Sequence, residues 1–193
     1  MAKIEVGPSH YMFPMPAVLV GANVHDKPNY LTAAWCGTMQ GQPPLIYAAL
    51  NRIRYTLYGI RVNESFSINI PSTSQVKEVD YCGTTSGHEH DKSKIFSTFY
   101  GSLGTAPMID ECPINLECRL LQILDFDGSH EICVGVVVQT FVKEEILTNN
   151  EPDIKKVDPL IYSTGDHNYY NVGEMIAKGF DVGKDYVAEP EEE

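Results

Sequence analysis

The stretch Ala17-Val-Leu-Val-Gly-Ala-Asn-Val24 decides the fold class, because it is the β-branched, apolar kind of run that forms a buried strand. The turn-forming residues His25-Asp-Lys-Pro-Asn29 follow it directly. A second strand pattern then covers residues 31–39. The two runs therefore predict a β-hairpin, with the turn at residues 25–29.

Further strand patterns occur downstream, so we expect six or more strands in total. Two long ones flank Asp125-Phe-Asp-Gly-Ser129, whose Asp-Gly pair is typical of a hairpin turn. The downstream strands are predicted at residues 45–50, 66–70, 115–124, 131–142 and 160–162.

Helical patterns are fewer and shorter. Thr56 is the predicted N-cap of one helix, and residues 91–100 show an apolar face built from Ile95, Phe96 and Phe99. Two further helices are predicted at residues 74–81 and 173–180. Many strands with a few inserted helices predict a mainly β fold, a closed or partly closed barrel, in one domain spanning residues 1–193. Neither a βαβ alternation nor a GxGxxG or P-loop motif is present.

Composition narrows the function classes. A net charge of −12 argues against a nucleic-acid partner, and no apolar run is long enough to cross a membrane. The first residues show no secretory signal, so we expect a cytoplasmic protein whose five cysteines are reduced thiols. Residues 188–193 form an acidic C-terminal tail, expected to be a solvated, frayed end.

One part of this acidic chain is basic. Residues 27–63 contain four basic side chains and no Asp or Glu; the four are Lys27, Arg52, Arg54 and Arg61. Such a stretch suits a small anionic ligand, which the rest of the molecule would repel. A basic surface face explains the same composition, and composition alone does not decide between them.

Two segments within this stretch are candidates for ligand binding. In Asn29-Tyr-Leu-Thr-Ala-Ala-Trp-Cys-Gly-Thr-Met39, small residues would let a flat ligand approach the backbone, although a tight barrel core has the same composition. In Leu50-Asn-Arg-Ile-Arg-Tyr-Thr56, a strand runs into a helix start, where arginines and free N–H groups favour an anion. The alternative there is an exposed loop whose arginines pair with carboxylates.

A third segment, Tyr81-Cys-Gly-Thr-Thr-Ser-Gly-His-Glu-His-Asp-Lys92, resembles an anion-binding loop. His88 and His90 also raise the possibility of a metal, but two histidines in a loop are more often hydrogen-bonded or exposed. We therefore predict no metal site. Because no nucleophile motif is visible either, we expect a bound cofactor to carry any reaction.

Taken in order, these segments resemble the flavin reductase-like family, and in particular its flavoredoxin branch. The resemblance also draws on Pro14-Met-Pro-Ala-Val-Leu-Val20, Asp80-Tyr-Cys-Gly83 and Tyr169-Tyr-Asn-Val-Gly-Glu174. It implies an FMN-binding split barrel that works as a homodimer, with the flavin between subunits.

The resemblance also implies the site residues. Those expected near the isoalloxazine ring are Asn29, Thr32, Ala33, Ala34, Trp35, Cys36, Gly37 and Thr38. Asn51, Arg54 and Thr56 would hold the phosphate, and Asn69, Ser86 and Lys92 would help to close the site. Some family members have Ser or Thr at the positions of Trp35 and Cys36, so the indole could shade one face of the ring. We expect Cys36 to pack rather than to react, because no basic residue adjoins it in sequence.

Three functions are compatible with such a barrel. It could be an NAD(P)H-dependent flavin reductase, an electron carrier that exchanges electrons with redox proteins, or a barrel that stores or delivers flavin. An acidic surface would help an electron carrier to dock on a basic partner.

Overall fold

The computed structural model describes residues 2–187. In chain order its first elements are β1 (Met15–Pro16), β2 (Val18–Val24), β3 (Lys27–Ala33), β4 (Cys36–Gln40), β5 (Leu45–Asn51), α1 (Tyr55–Asn63) and β6 (Ser65–Ile70). The middle comprises a 3₁₀ turn (Thr73–Gln75), α2 (Val76–Thr84), β7 (Thr98–Phe99), β8 (Met108–Ile109), β9 (Ile114–Asp125) and β10 (His130–Val142). The last elements are a 3₁₀ turn (Glu144–Ile146), β11 (Leu147–Thr148), β12 (Glu151–Pro152), α3 (Ile154–Val157), β13 (Ile161–Tyr162) and β14 (Tyr169–Tyr170).

Seven strands form one antiparallel sheet in the order β3-β2-β6-β9-β10-β5-β4. The edge strands β3 and β4 are consecutive in the chain, so the sheet must curl round to bring its two edges together. Between β3 and β5 there is no strand pairing in the described sheet, and a single backbone hydrogen bond from Ala49 N to Trp35 O, 2.8 Å long, ties β5 to the β3–β4 connection. The fold is therefore a mainly β, split barrel, as the sequence predicted.

The β2–β3 hairpin is confirmed, but its turn is tighter than predicted. Only His25 and Asp26 lie in the turn, with φ of 49° and 62°, the left-handed pair that matches the twist of the flanking strands. The predicted single strand over residues 31–39 is wrong. The chain bends at Ala34 and Trp35, and this bend carries it from one edge of the barrel to the other.

The apolar residues form two clusters. One fills the barrel around Val20, Leu57 and Phe66, and the other lies between α2 and β3 around Tyr30 and Val79. All five cysteines belong to the described residues and are free and buried, which agrees with the prediction of reduced thiols.

Two predicted helices are wrong. Residues 91–100 form turns and the short strand β7, because Phe96 packs edge-on against Tyr30 at 5.4 Å and Lys92 is buried. Residues 173–180 have no helix, and the apolar side chains Met175 and Ile176 are exposed.

Helix α2 and the other predicted strands are confirmed within a few residues. The predicted cap of α1 is a correction, since its N-cap is Arg54 and Thr56 lies inside the helix. The acidic tail at residues 188–193 lies outside the described residues. No helix between residues 2 and 187 is long and apolar enough to cross a membrane.

Candidate functional site

A cleft of about 560 Å³ lies where β3 and β5 fail to pair. One side, the barrel wall, contains residues of β3, β5 and the segments that follow them: Thr32, Ala33, Ala34, Trp35, Asn51 and Arg54. Another side, the hairpin wall, belongs to β13, β14 and their connection: Tyr162, Thr164, His167 and Tyr169. Helix α2 contributes Asp80, Gly83 and Thr84. The volume falls within the roughly 300–1,000 Å³ typical of small-molecule sites.

The barrel wall combines small side chains with the only tryptophan of the chain. Ala33 is buried in the barrel core, whereas Ala34 and Trp35 are half-buried. The indole of Trp35 meets His130 at 4.5 Å between ring centroids and His10 edge-on at 5.2 Å. The wall is therefore smooth at the alanines and aromatic beside them, which suits a flat ligand.

The basic stretch resolves into paired and unpaired cations. Lys27 pairs with Asp91, and both Arg52 and Arg61 pair with the buried Glu131. The surface-pair interpretation therefore holds for these three side chains. Arg54 has no carboxylate partner within the part of the chain that the structure describes, and it lies in the cleft.

Arg54 also marks the beginning of α1. The first turn of α1 contains no acidic side chain, and the side chain of its N-cap residue Arg54 makes no capping hydrogen bond. Free N–H groups and the positive end of the helix dipole therefore add to the charge of Arg54. Together they make this end of the cleft attractive to an anion.

The same positive charge acts on His130, which is paired with Asn51 at the end of β5. Partial burial and the Arg54 guanidinium both lower the pKa of His130, burial being the larger cause. Its ring is bonded to Ser129 through Nδ1 at 2.8 Å. His130 is therefore held as a neutral ring beside Trp35 near pH 7.

Three predicted site residues hold the C-terminal part of α2. Each donates a hydrogen bond to a backbone carbonyl of the helix. Thr32 Oγ1 donates to Val79 O, Lys92 Nζ to Cys82 O at 2.9 Å, and Arg54 Nη1 to Gly83 O at 3.2 Å. Cationic side chains are favourable at this end of a helix, since its carbonyl groups lack partners there. Burial lowers the pKa of Lys92. These contacts fix α2 against β3 and so position Asp80.

The hairpin wall is held by side-chain pairs. Tyr169 donates to Asp80 on α2 at 3.1 Å, and the Tyr162 hydroxyl meets His167 Nδ1 at 2.9 Å. The rings of Tyr162 and Tyr169 lie 5.5 Å apart. Burial, reinforced by the Asp80 charge, raises the pKa of Tyr169, which therefore stays protonated at neutral pH.

Six of the fourteen predicted site residues lie together in the cleft, and they are the six of the barrel wall. The other eight lie elsewhere. Asn29 and Lys92 line a smaller pocket beside the turn at residues 86–90, and Asn29 Nδ2 donates to the buried Thr56 hydroxyl at 2.7 Å. Ser86 accepts a hydrogen bond from the amide of His88.

The remaining four belong to the sheet. Asn69 is buried and donates to the carbonyl of Leu19 at 2.9 Å. Cys36 lies in the barrel core, where burial raises its pKa to about 12. Gly37 lies on β4 against Tyr47, and Thr38 lines an outer groove along β4, β5 and β10. Cofactor contacts for these eight residues stay predictions.

The two histidines of the third segment are not part of a metal cluster. Among residues 2–187, no three His, Cys, Asp or Glu side chains are grouped as ligands of one metal ion would be. His88 instead packs against the ring of Tyr55 at 4.4 Å.

Sequence reasoning missed the hairpin wall and the α2 residues of the cleft. A signal was present, because Asp80, Gly83 and Tyr169 stand in segments that carry the family resemblance. For Tyr162, Thr164 and His167 no motif gave a signal.

The fold and cleft define a flavin reductase-like protein, and comparison with known families agrees. Residues 10–171 match the model of the flavin reductase like domain, so the chain belongs to that family.

Two flavoredoxin structures are particularly similar. The flavoredoxin of Methanosarcina acetivorans is 40% identical with a TM-score of 0.92, over 95% of this chain and 98% of that one. The flavoredoxin of Desulfovibrio vulgaris (Miyazaki F) is 35% identical with a TM-score of 0.88, over 95% of this chain and 100% of that one. An FMN-binding protein of Thermus thermophilus, solved with bound 1-cyclohex-2-enone, is 25% identical with a TM-score of 0.78, over 92% and 98% of the two chains.

Proposed function

We propose that this chain binds one FMN per subunit in the cleft and passes electrons through it. The observation that carries the proposal is Arg54, the one basic side chain of residues 27–63 that has no carboxylate partner within the described chain. It lies in a cleft that has a flat, apolar part as well as this cation. These two features would match the isoalloxazine ring and the phosphate of a flavin mononucleotide. FMN supplies the electron-transfer chemistry that amino-acid side chains lack.

The barrel wall divides between these two ends. Asn51, Arg54 and the N-terminus of α1 would hold the phosphate, with a charge-assisted hydrogen bond from the guanidinium. Ala33 and Ala34 would let the ring approach the backbone, and Trp35 would border it. The Thr56 hydroxyl is buried and accepts a hydrogen bond from Asn29. For the predicted contact, the phosphate would therefore have to reach a buried hydroxyl within α1.

The functional unit in this proposal is a homodimer of single-domain subunits. Large apolar side chains are exposed in both terminal segments of one subunit, among them Ile4, Met12, Met175, Ile176 and Phe180. Exposed apolar groups of this number favour a protein interface. A second copy of the chain covering them would also bring the cleft close to the subunit boundary, since β1 and β13 connect these segments to the hairpin wall. Light scattering on the purified chain measures this state.

Two electron donors are compatible with the proposal. A redox protein is favoured by the net charge of −12, which would attract a basic docking surface, and by the similarity to two flavoredoxins. NAD(P)H is the donor expected for a flavin reductase, and the cleft would then have to admit a nicotinamide beside Trp35. Stopped-flow mixing of the flavin-loaded protein with NADH and NADPH separates the two, because only the reductase would bleach the flavin at catalytically useful rates.

The direct test is FMN titration of the Arg54→Leu variant. Losing a charge-assisted bond to phosphate costs about 1.5–3 kcal/mol, so we expect FMN to bind roughly 10- to 150-fold more weakly. Lumiflavin, which lacks the phosphate, should bind Arg54→Leu and the unmodified protein within about twofold of each other. Quenching of the Trp35 emission reports binding, because Trp35 is the only tryptophan and it borders the cleft.

The matched control is Arg61→Gln, which removes a charge from the same basic stretch but from a side chain paired with Glu131 outside the cleft. It should leave FMN affinity within about twofold. Equal losses of FMN affinity in the two variants would contradict a phosphate site at Arg54. An unmodified protein that takes up no FMN, and whose absorption spectrum is colourless, would refute the proposed function altogether.

A further inference from the structure

The connection between β13 and β14 is held by several hydrogen bonds among its own residues. Ser163 N donates to the carbonyl of Asn168 at 3.0 Å, and Asn168 N donates to the Asp166 carboxylate at 3.3 Å. Tyr170 donates to the same carboxylate, and Tyr162 pairs with His167. The loop is therefore held by hydrogen bonds among its own residues.

Both ends of this loop are also fastened to the rest of the molecule. Tyr162 pairs with Met15 across the β1–β13 ladder, and Tyr169 donates to Asp80 on α2. Thr164 lies between these two attachments and lines the cleft. Its position relative to the barrel wall is thus set by the fold.

The hydroxyl of Thr164 is the exception to this hydrogen bonding. Among the described residues, Thr164 Oγ1 is the one buried side-chain nitrogen or oxygen without a hydrogen-bond partner. Buried polar groups in folded proteins are nearly always paired, because leaving one unpaired costs free energy. Because Thr164 lines the cleft, its unpaired buried hydroxyl points to a partner supplied from the cleft.

The surroundings indicate what that partner is. The cleft is lined in part by the apolar side chains of Ala17, Leu31 and Ala33, its cation Arg54 belongs to the phosphate end, and its carboxylate Asp80 already accepts from Tyr169. A charged group would be poorly solvated against such a surface. The partner is therefore a neutral polar atom on a flat, largely apolar molecule, which describes the carbonyl or amide edge of a heterocyclic ring.

We propose that Thr164 is a ligand-contacting residue whose hydroxyl forms a hydrogen bond with the carbonyl or amide edge of a planar ring bound in the cleft. This inference rests on the proposed function, which supplies two rings with such an edge. One is the pyrimidine edge of the flavin, and the other is the nicotinamide carboxamide of a pyridine nucleotide.

The test compares Thr164→Val, which keeps the shape and removes the hydroxyl, with Thr164→Ser, which keeps the hydroxyl. If the partner is the flavin, Thr164→Val raises the Kd for both FMN and lumiflavin by about 2- to 12-fold and shifts the absorption bands of the bound flavin. If the partner is the nicotinamide, flavin Kd is unchanged and the KM for NADH or NADPH rises by a similar factor without a fall in kcat. In either case Thr164→Ser restores values within about twofold.

Thermal unfolding adds a signature that a merely structural threonine would not give. Without ligand, Thr164→Val should have a higher Tm than the unmodified protein, because an unpaired buried hydroxyl has been removed. With saturating ligand, the increase in Tm should be smaller in Thr164→Val than in the unmodified protein. Thr140→Val, the same change on the exposed outer face of β10, should alter neither quantity.

The proposal is overturned if Thr164→Val matches the unmodified protein in flavin Kd, in the flavin spectrum and in nucleotide KM. It is also overturned if Thr164→Val lowers the Tm of the ligand-free protein, since the hydroxyl would then have an internal partner. Failure of the proposed function is recognised separately, because the unmodified protein itself would then bind no FMN.

Discussion

The two walls of the cleft are built in different ways. The barrel wall rests on strand register, with β3 paired to β2 along its whole length and β5 paired to β10 from Leu45 to Asn51. The hairpin wall rests on two-residue ladders between β1, β13 and β14 and on individual side-chain bonds, such as that from Tyr169 to Asp80. The backbone of the barrel wall should keep its position when one residue is replaced. The hairpin wall can be loosened by the loss of one side-chain bond.

Because of this difference, we expect the two walls to have different roles in ligand binding. The barrel wall offers fixed features, the alanines and the Arg54 cation, which in the proposed function would select a ligand by shape and charge. The hairpin wall contributes polar atoms whose placement depends on a short loop. Substitutions in the barrel wall should therefore change whether FMN binds, and substitutions in the hairpin wall should change how firmly it is held.

Among substitutions that change the shape of either wall, the largest effect is expected from Ala34→Leu. Ala34 lies at the bend between β3 and β4, where the bond from Ala49 N to Trp35 O prevents the wall from receding. Adding a bulkier side chain to a fixed seat costs about 1–3 kcal/mol, so FMN should bind up to about 100-fold more weakly. Lumiflavin should lose affinity equally, because the obstruction concerns the ring and not the phosphate. Titration by flavin fluorescence measures both.

Thr140→Leu is the control, since Thr140 is exposed on β10 outside the cleft. It should bind FMN like the unmodified protein. If Ala34→Leu keeps full FMN affinity, the ring does not lie against this bend and the barrel wall is not the selective one.

A smaller effect is expected from Tyr169→Phe, which removes the bond to Asp80 and keeps the ring against Tyr162. The hydrogen bond is exposed, so its loss is worth about 0.5–1 kcal/mol and FMN affinity should fall by about two- to fivefold. The loss should appear in the dissociation rate, because a loosened hairpin releases the ligand sooner. Stopped-flow displacement of FMN measures that rate.

Asp80→Asn serves as the matched variant, because its amide oxygen can still accept from the tyrosine. It should lie between Tyr169→Phe and the unmodified protein. A large loss of affinity in Tyr169→Phe, equal to that of Ala34→Leu, would remove the distinction between the walls.

The two walls also differ in how much of their structure could be predicted from the sequence. Strands such as β2 and β6 were predictable because alternating or β-branched runs report burial directly. The unpaired cation of the cleft was predictable because Arg54 lies in a stretch without acids. Both features are local in sequence.

The errors arise where distant residues decide the local structure. Residues 91–100 have a helical pattern, yet Phe96 packs on Tyr30 and Lys92 bonds to the Cys82 carbonyl, and these contacts outweigh helix propensity. The bend at Trp35 is imposed by barrel closure, which no run of nearby residues encodes. The hairpin wall was missed for the same reason, because its side chains acquire their roles only through partners such as Asp80.

The smallest effect concerns His130, which begins β10 opposite Asn51 and lies beside Trp35. Burial and Arg54 lower its pKa in the folded chain, so the unfolded chain binds the proton more readily. The stability this residue contributes is therefore complete above the ordinary histidine pKa of about 6.5 and is lost as the pH falls from there towards the lowered value. We expect a loss of no more than about 2 °C in Tm, measured against a His130→Asn variant that lacks the titration.

Bound FMN should reduce that pH dependence, because its phosphate neutralises Arg54 and so removes one cause of the lowered pKa. The histidine proton signals of His130, followed by NMR from pH 8 to 5 with and without FMN, should therefore give a higher pKa in the complex. Lumiflavin has no phosphate, so with lumiflavin bound Arg54 should still lower the pKa of His130. If FMN and lumiflavin raise the pKa of His130 equally, the ring and not the phosphate lies beside this histidine. The positions proposed for the ring and the phosphate along the barrel wall would then have to be reversed.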